Sequence, residues 1–294
     1  MTAFRTGTLA IVGRPNVGKS TLTNRLVGAK VSITSSKPQT TRHRIRGIVT
    51  TEAAQLILVD TPGFQTKSRS SLNRLMNRNI TQALSDVDVV VLVIEAGRWE
   101  DGDRAVLAML PVGRPILLVV NKIDRLSDKS ALLPFIDKVS REGKFAEILP
   151  VSAESGHGTE TLTGVAAKFL PMAPPMFHED DITDRSERFL AAEILREKLF
   201  RNLGQELPYG IAVEIEKFEE EGELRRIHAA VIVDRDAHKG IVIGKAGERL
   251  KRMSSDARRD REKLFGGKVW LETWVKVKSG WSEDERILKS LGYE

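Results

Sequence analysis

The apolar run Thr8-Leu9-Ala10-Ile11-Val12 leads straight into Gly13-Arg14-Pro15-Asn16-Val17-Gly18-Lys19-Ser20, after which a helical pattern opens. Strand, glycine-bearing loop and helix in that order constrain the fold strongly. The loop must turn its backbone N–H groups inward, and the helix N-terminus adds partial positive charge. Gly13 and Gly18 let the chain turn without a Cβ clash. The spacing predicts a phosphate cradle running from Gly13 to Thr21. In it Lys19 reaches the β- and γ-phosphates and Ser20 offers its hydroxyl to Mg²⁺. A chance glycine-rich turn is the bland alternative, and the flanking strand and helix argue against it.

Three further strand ends decide the base. Gln55-Leu56-Ile57-Leu58-Val59 ends in Asp60-Thr61-Pro62-Gly63, followed by Phe64. An acid there can hold a Mg²⁺-bound water, and the Gly63 N–H can reach a γ-phosphate. Pro115 to Val120 ends in Asn121-Lys122-Ile123-Asp124. The Asp124 carboxylate can accept from N1–H and N2–H₂ of guanine; adenine offers neither donor and would leave it unpaired. Ala146 to Val151 delivers Ser152-Ala153, whose backbone can touch the guanine carbonyl. Asn-Lys-x-Asp alone is weak evidence, but four motifs at four strand ends, in this order, predict a guanine-nucleotide domain.

The 294 residues suit two domains, and the absence of cysteine removes disulfides and thiolate metal sites, in keeping with a reducing cytoplasm. No apolar run reaches membrane-spanning length, and the N-terminus lacks a signal-peptide core. The net charge of +6 is uneven: Met1 to Thr51 holds nine Lys/Arg and no Asp or Glu. That suits a segment facing triphosphate and RNA, with Arg5 and Arg25 read as solvated surface. Strands alternating with helical stretches (104–110, 132–141, 160–170) imply a mostly parallel three-layer α/β sheet. Ile45 to Thr51 adds an antiparallel edge hairpin. Three prolines and an acidic cluster over 171–181 end the pattern. The expected organisation is a domain at 1–172, a linker at 173–183 and a second domain at 184–294.

The aperiodic segment Lys30 to His43 is where a nucleotide switch belongs, with Thr40 or Thr41 completing the Mg²⁺ shell. Beyond 183, a helix expected as amphipathic (185–203), two strands (212–215, 227–233), Gly244-Lys245-Ala246-Gly247, a basic helix and a strand (269–277) follow the order of a type II KH module, an α+β fold. Its Gly-x-x-Gly loop clamps single-stranded RNA backbone. Lys245, Arg249, Lys251 and Arg252 supply charge. From Arg235 to Lys278 thirteen Lys/Arg face six Asp/Glu, whereas from Thr183 to Asp234 eight face twelve, so the basic charge is local to the loop and its helix. A solvated helix face with i,i+4 pairs is the plainer reading of 258–263. On the last strand Trp270, Trp274, Lys276 and Lys278 share a face; base stacking is conceivable there, and packing is the favoured reading.

Gly-Arg-Pro-Asn-Val-Gly-Lys-Ser, Gln-Thr-Thr-Arg-His, Asp-Thr-Pro-Gly, Asn-Lys-Ile-Asp and Val-Ser-Ala, followed by the KH module, resemble the Era family of bacterial GTPases nearly end to end. The resemblance implies a Ras-like P-loop GTPase domain with GTP or GDP and Mg²⁺. It further implies a monomer that binds the 3′ end of small-subunit ribosomal RNA and acts in assembly of that subunit. The implied location is the cytoplasm, with peripheral contact on the inner membrane. It favours Thr41 as the switch threonine, making Ser20, Thr41 and Asp60 the metal set and Asn16, Lys19, Thr41 and Gly63 the catalytic one. Phe64 stands where Ras-like enzymes carry the water-orienting glutamine, and Gln65 is one residue late. Asn16 occupies the position at which related enzymes coordinate K⁺, or it simply stabilises its own turn. A membrane-attached signalling GTPase whose second domain binds lipid or protein is the alternative; a metabolic kinase is disfavoured by Asn121 to Asp124.

Overall fold

The computed structural model describes residues 3–35, 37, 40–63, 71–204 and 207–291. The chain forms two compact units, one of Met1–Ser32, Thr41–Ser68 and Met76–Asp184, the other of Ile33–Thr40, Arg69–Leu75 and Arg185–Glu294.

The first unit is built on β1 (Arg5–Val12), β2 (Ile45–Thr50), β3 (Ala54–Asp60), β4 (Val89–Glu95), β5 (Ile116–Asn121) and β6 (Glu147–Pro150), in sheet order β2-β3-β1-β4-β5-β6. Every pairing is parallel except β2 with β3, which makes the expected edge hairpin. Its helices are α1 (Lys19–Val27), α2 (Ser71–Ser85), α3 (Asp101–Ala108), α4 (Leu132–Ser140) and α5 (Thr159–Lys168); α2 begins in the second unit. Parallel strands covered on both faces read as continuous apolar runs, and the side chains alternate. Leu9, Ile11, Leu58 and Val91 pack with Leu22 of α1 and Leu162 of α5, while Ala10, Val12, Val90 and Leu92 pack with Ile80, Val106 and Val139. β1 lies between β3 and β4, so the strand order reverses there and the carboxyl ends open a crevice.

The segment expected as a linker is hydrogen-bonded to this unit. Ala173 N–H donates to Phe4 O, and the buried Gln55 side chain accepts from the N–H groups of Met176 and Phe177. Thr183 bridges Gly47 on β2. Prolines are tolerated along an edge because their missing N–H groups face no ladder partner. Of the two arginines read as solvated surface, Arg25 is exposed and also donates to the carbonyls of Ala153 and Glu154, whereas Arg5 is half-buried and donates to Leu170 O.

The second unit has α6 (Glu187–Asn202), β7 (Ile211–Glu221), β8 (Leu224–Val233), α7 (Asp236–Ile243), α8 (Glu248–Phe265), β9 (Lys268–Val277) and α9 (Glu285–Ser290). β8 is central, antiparallel to β7 and parallel to β9. One sheet face packs Ile227, Ala229, Val231, Val269 and Val275 against Leu195, Leu199, Val242 and Met253. On the other, Trp274 packs with Trp281, Ile232 and Leu288, as favoured, while Trp270 is 41% exposed beside His228. α6 departs from the expected amphipathic pattern. Glu193, Arg196 and Glu197 are buried along with its apolar residues, because they pair with one another and with residues 33–40.

Candidate functional site

The four motifs of the first unit meet at the carboxyl ends of β1, β3, β5 and β6. Gly13 and Gly18 are required on steric grounds, with φ of 152° and 102°. A Cβ on Gly13 would lie 2.4 Å from Val93 O, and one on Gly18 2.3 Å from Asn121 Nδ2. Asn121 is the bolt of the site: its Nδ2–H donates to Val17 O at 2.8 Å and its Oδ1 accepts from Ala153 N–H at 3.0 Å. One buried amide thus ties the phosphate loop, the Asn121–Asp124 loop and the Ser152–Ala153 loop together. Thr61 Oγ1–H donates to Ile11 O at 2.9 Å, and Gly63 lies where a Cβ would meet Pro15 at 3.1 Å. Phe64 and Gln65 fall outside the described residues.

Lys19 opens α1, 6% exposed, and its Nζ donates to Gly13 O and Arg14 O at 3.0 and 2.9 Å. Burial, only partly offset by Asp60, pushes its pKa down to about 8. The carboxylates nearby do not fully compensate such a cation, and a bound phosphate would supply the remaining counter-charge. Arg14, in contrast, is turned toward α3, its Nε donating to both oxygens of the fully buried Asp103.

Ser20 Oγ and Thr41 Oγ1 are 2.9 Å apart, whereas Thr40 Oγ1–H donates to Lys37 O. Of the two threonines considered, only Thr41 stands with Ser20. Asp60 at the end of β3 is fully buried; burial raises its pKa, with a hydrogen bond from Ser32 the largest opposing influence. Its Oδ1 has no protein partner. Two adjacent hydroxyls and an unpartnered buried carboxylate oxygen are hard-oxygen donors of the kind Mg²⁺ accepts beside phosphate, so the residues present fit that ion.

At the base end, Lys122 adopts the left-handed conformation at φ 65°, and its Nζ pairs with Glu95 at 2.7 Å. Burial acts to raise the Glu95 carboxyl, but Lys122 outweighs it and holds it below the ordinary glutamate range. Asp124 follows in a short 3₁₀ turn, Ile123–Arg125, with its carboxylate exposed. Asn16 is exposed with φ 67°, a conformation asparagine tolerates. Sequence reasoning missed Glu95, Asp103 and Ser32, which support Lys122, Arg14 and Asp60 from outside any motif, and Asn24, whose side chain holds the Ser32 backbone. Position on a strand end could have pointed to Glu95, and a place one helical turn past Ser20 to Asn24; Asp103 and Ser32 carry no local signal.

In the second unit, Gly244 (φ 73°), Ala246 (φ 50°) and Gly247 (φ 80°) shape the loop between α7 and α8. A Cβ on Gly244 would strike Arg249 Cβ at 2.6 Å, whereas Gly247 faces open space. Lys245, Lys251 and Arg252 are exposed, and Arg249 caps α7 by donating to Ile241 O. Beside the loop, α8 and β9 enclose a cleft of about 390 Å³ lined by Gly247, Lys251, Ser254, Arg258, Leu271 and Thr273 among others.

Comparison with known proteins agrees with both units. A family model described as 50S ribosome-binding GTPase matches residues 8–122, and one described as KH domain matches residues 206–282. GTPase Era of Nitrosomonas eutropha is 57% identical over 291 residues, covering 99% of this chain and 98% of that protein. GTPase Era of Stenotrophomonas maltophilia is 55% identical over 294 residues, covering 100% and 99%. Among solved structures, Era in complex with MgGDPNP and nucleotides 1506–1542 of 16S ribosomal RNA superposes with a TM-score of 0.94 at 38% identity, covering 99% of both chains. A variant of Aquifex aeolicus Era bound to GDP·AlF4⁻ gives 0.95 at 38%, again over 99% of both. With motifs, both folds and full-length identity in agreement, the chain belongs to the Era family of GTPases and hydrolyses GTP.

Proposed function

We propose that this GTPase is a Mg²⁺-dependent molecular switch that binds the 3′ end of small-subunit ribosomal RNA through its second unit and acts in maturation of that subunit. The observation that carries the RNA reading is the Gly244–Gly247 loop. At Gly247 it leaves room for a backbone phosphate, at the mouth of a basic cleft sized for unstacked bases. The solved Era complex with 16S ribosomal RNA supports it.

In the first unit, Ser20, Thr41 and Asp60 are the residues that would hold Mg²⁺, which neutralises charge on the β- and γ-phosphates when bound. Lys19 stabilises charge developing on the transferred phosphoryl group, and the Gly63 N–H orders the loop against it. Asp124 selects guanine while Lys122, fixed by Glu95, walls the base. Asn16 is proposed as a K⁺ ligand in place of an arginine finger. No described helix is long and apolar enough to cross a membrane.

A labelled single strand carrying the 3′ end of small-subunit rRNA, titrated into the GTP-analogue-loaded protein beside a scrambled strand, tests the reading. Tighter binding of the rRNA strand is expected, with strong salt dependence. Equal binding of both strands would refute the assignment of this RNA.

A further inference from the structure

We infer that Ser32, held by Asn24, is a positioning residue for the metal site: it occupies one oxygen of Asp60 and so aims the other at the ion. This rests on the Mg²⁺ reading of Ser20, Thr41 and Asp60.

Ser32 is fully buried, and its Oγ–H donates to Asp60 Oδ2 at 2.6 Å. That leaves Oδ1 as the buried oxygen without a protein partner. A carboxylate at a strand end has two equivalent oxygens and a freely rotating χ2, so on its own it presents no defined lone pair. A short hydrogen bond to one oxygen removes that freedom. Groups that orient ligands in this way commonly change metal affinity by about 10–100-fold when removed.

The Ser32 hydroxyl is itself held. Asn24 Oδ1 accepts from the N–H groups of Val31 and Ser32 at 3.0 and 2.8 Å, and its Nδ2–H donates to Ser32 O at 2.6 Å. This amide fixes the Ser32 backbone on both sides. Asn24 stands one helical turn beyond Ser20 on α1, and residues four apart share a helix face. One face of α1 therefore supplies a metal-site hydroxyl and the brace for the group that orients the carboxylate. Neither Asn24 nor Ser32 belongs to a nucleotide-binding motif in the sequence, and among the described residues the Ser32 hydroxyl bonds no side chain other than Asp60.

The test is release of a fluorescent GDP analogue from the full-length protein across a Mg²⁺ titration, with EDTA as the zero point. In the wild type Mg²⁺ should slow release. In Ser32→Ala the Mg²⁺ concentration giving half the slowing should rise about tenfold, while release in EDTA stays within about twofold of wild type. Asn24→Ala keeps the hydroxyl but frees its backbone, and should give a smaller shift in the same direction. An unchanged midpoint in Ser32→Ala would overturn the inference. So would an equal acceleration in EDTA, which marks a general loosening of the site. Wild-type release indifferent to Mg²⁺ would overturn the metal reading itself, and this inference with it.

Discussion

Lys19 should make nucleotide affinity depend on pH in a way that can be worked out from its surroundings. Without phosphate the amine is buried with a pKa lowered to about 8 from 10.5. A di- or triphosphate beside it restores the charged form, so above pH 8 binding must take up a proton. Affinity then scales with the fraction of free protein already protonated. It should fall about tenfold between pH 7 and 9, and the full shift corresponds to roughly 3 kcal/mol. The sign for folding is opposite. Between the folded and unfolded pKa values the unfolded chain holds more protons, so stability of the nucleotide-free protein rises with pH over about 8 to 10.5. Calorimetric titration with GDP in buffers of differing ionisation enthalpy reads the uptake directly. It should be close to zero at pH 7, about half a proton at pH 8 and about nine-tenths at pH 9. Lys19→Met should abolish the uptake along with most of the affinity. A flat wild-type profile from pH 7 to 9 would refute this, showing that the two carbonyls accepting from Lys19 Nζ keep it fully charged.

Other consequences are more local. Asp124→Asn reverses the hydrogen-bond polarity at the base, so GTP affinity should drop on the order of 10³-fold while xanthosine triphosphate gains, as competition binding would show. Intrinsic turnover should be slow, on the order of 10⁻² s⁻¹ or below. Asn16→Ala should erase any stimulation by K⁺ over Na⁺ in a phosphate-release assay. Gly247→Asp places a carboxylate in the open space at the loop and should weaken rRNA binding roughly tenfold or more, leaving GTP affinity of the RNA-free protein unchanged.

The parts of this fold legible in the sequence are those whose chemistry is local. Parallel strands buried on both faces announce themselves as apolar runs, and phosphate-binding turns need glycine at fixed offsets, so β1, β3 and β5 and the loops after them could be read directly. Side chains that act across the fold left no local trace. Asn121 was legible as a base-reading motif but not as the amide joining three loops. Ser32 and Asn24 look like ordinary polar residues until β3 brings Asp60 beside them. Nor could α6 be read correctly. Its Glu193, Arg196 and Glu197 follow a solvated pattern, and the Glu193–Arg196 pair together with the bonds of Arg196 to Thr40 and of Thr34 to Glu197 makes their burial tolerable. α9 escaped because its apolar residues are few and packed around Trp281.

The chain path through residues 32–41 carries the strongest argument for coupling between nucleotide and RNA. Ser32 donates to Asp60 and Thr41 meets Ser20, both within the first unit. The residues between them, Ile33–Thr40, belong to the second. There Thr34 donates through N–H and Oγ1 to Glu197, and Lys37 donates to the carbonyls of Phe200 and Leu203 as α6 ends. Arg196 Nη2–H donates to Thr40 O at 2.6 Å while the same guanidinium grips Glu193. A γ-phosphate that orders Thr41 therefore acts one peptide bond from a carbonyl held by α6. An effect of nucleotide on this segment must be returned equally by any ligand that favours the same arrangement of α6, because coupling is reciprocal. At about 1–3 kcal/mol, rRNA should bind roughly 5- to 150-fold tighter with a GTP analogue than with GDP. Removing Arg196 alone would take the paired guanidinium from the buried Glu193, at a cost of about 3–5 kcal/mol. The informative variant is therefore Glu193→Met with Arg196→Met, which deletes both charges and leaves Thr40 O without its donor. Affinity ratios from anisotropy titrations should fall toward one in that double variant, with GDP-state RNA affinity retained. A ratio as large as that of the wild type would mean that nucleotide and RNA communicate by a route that bypasses α6.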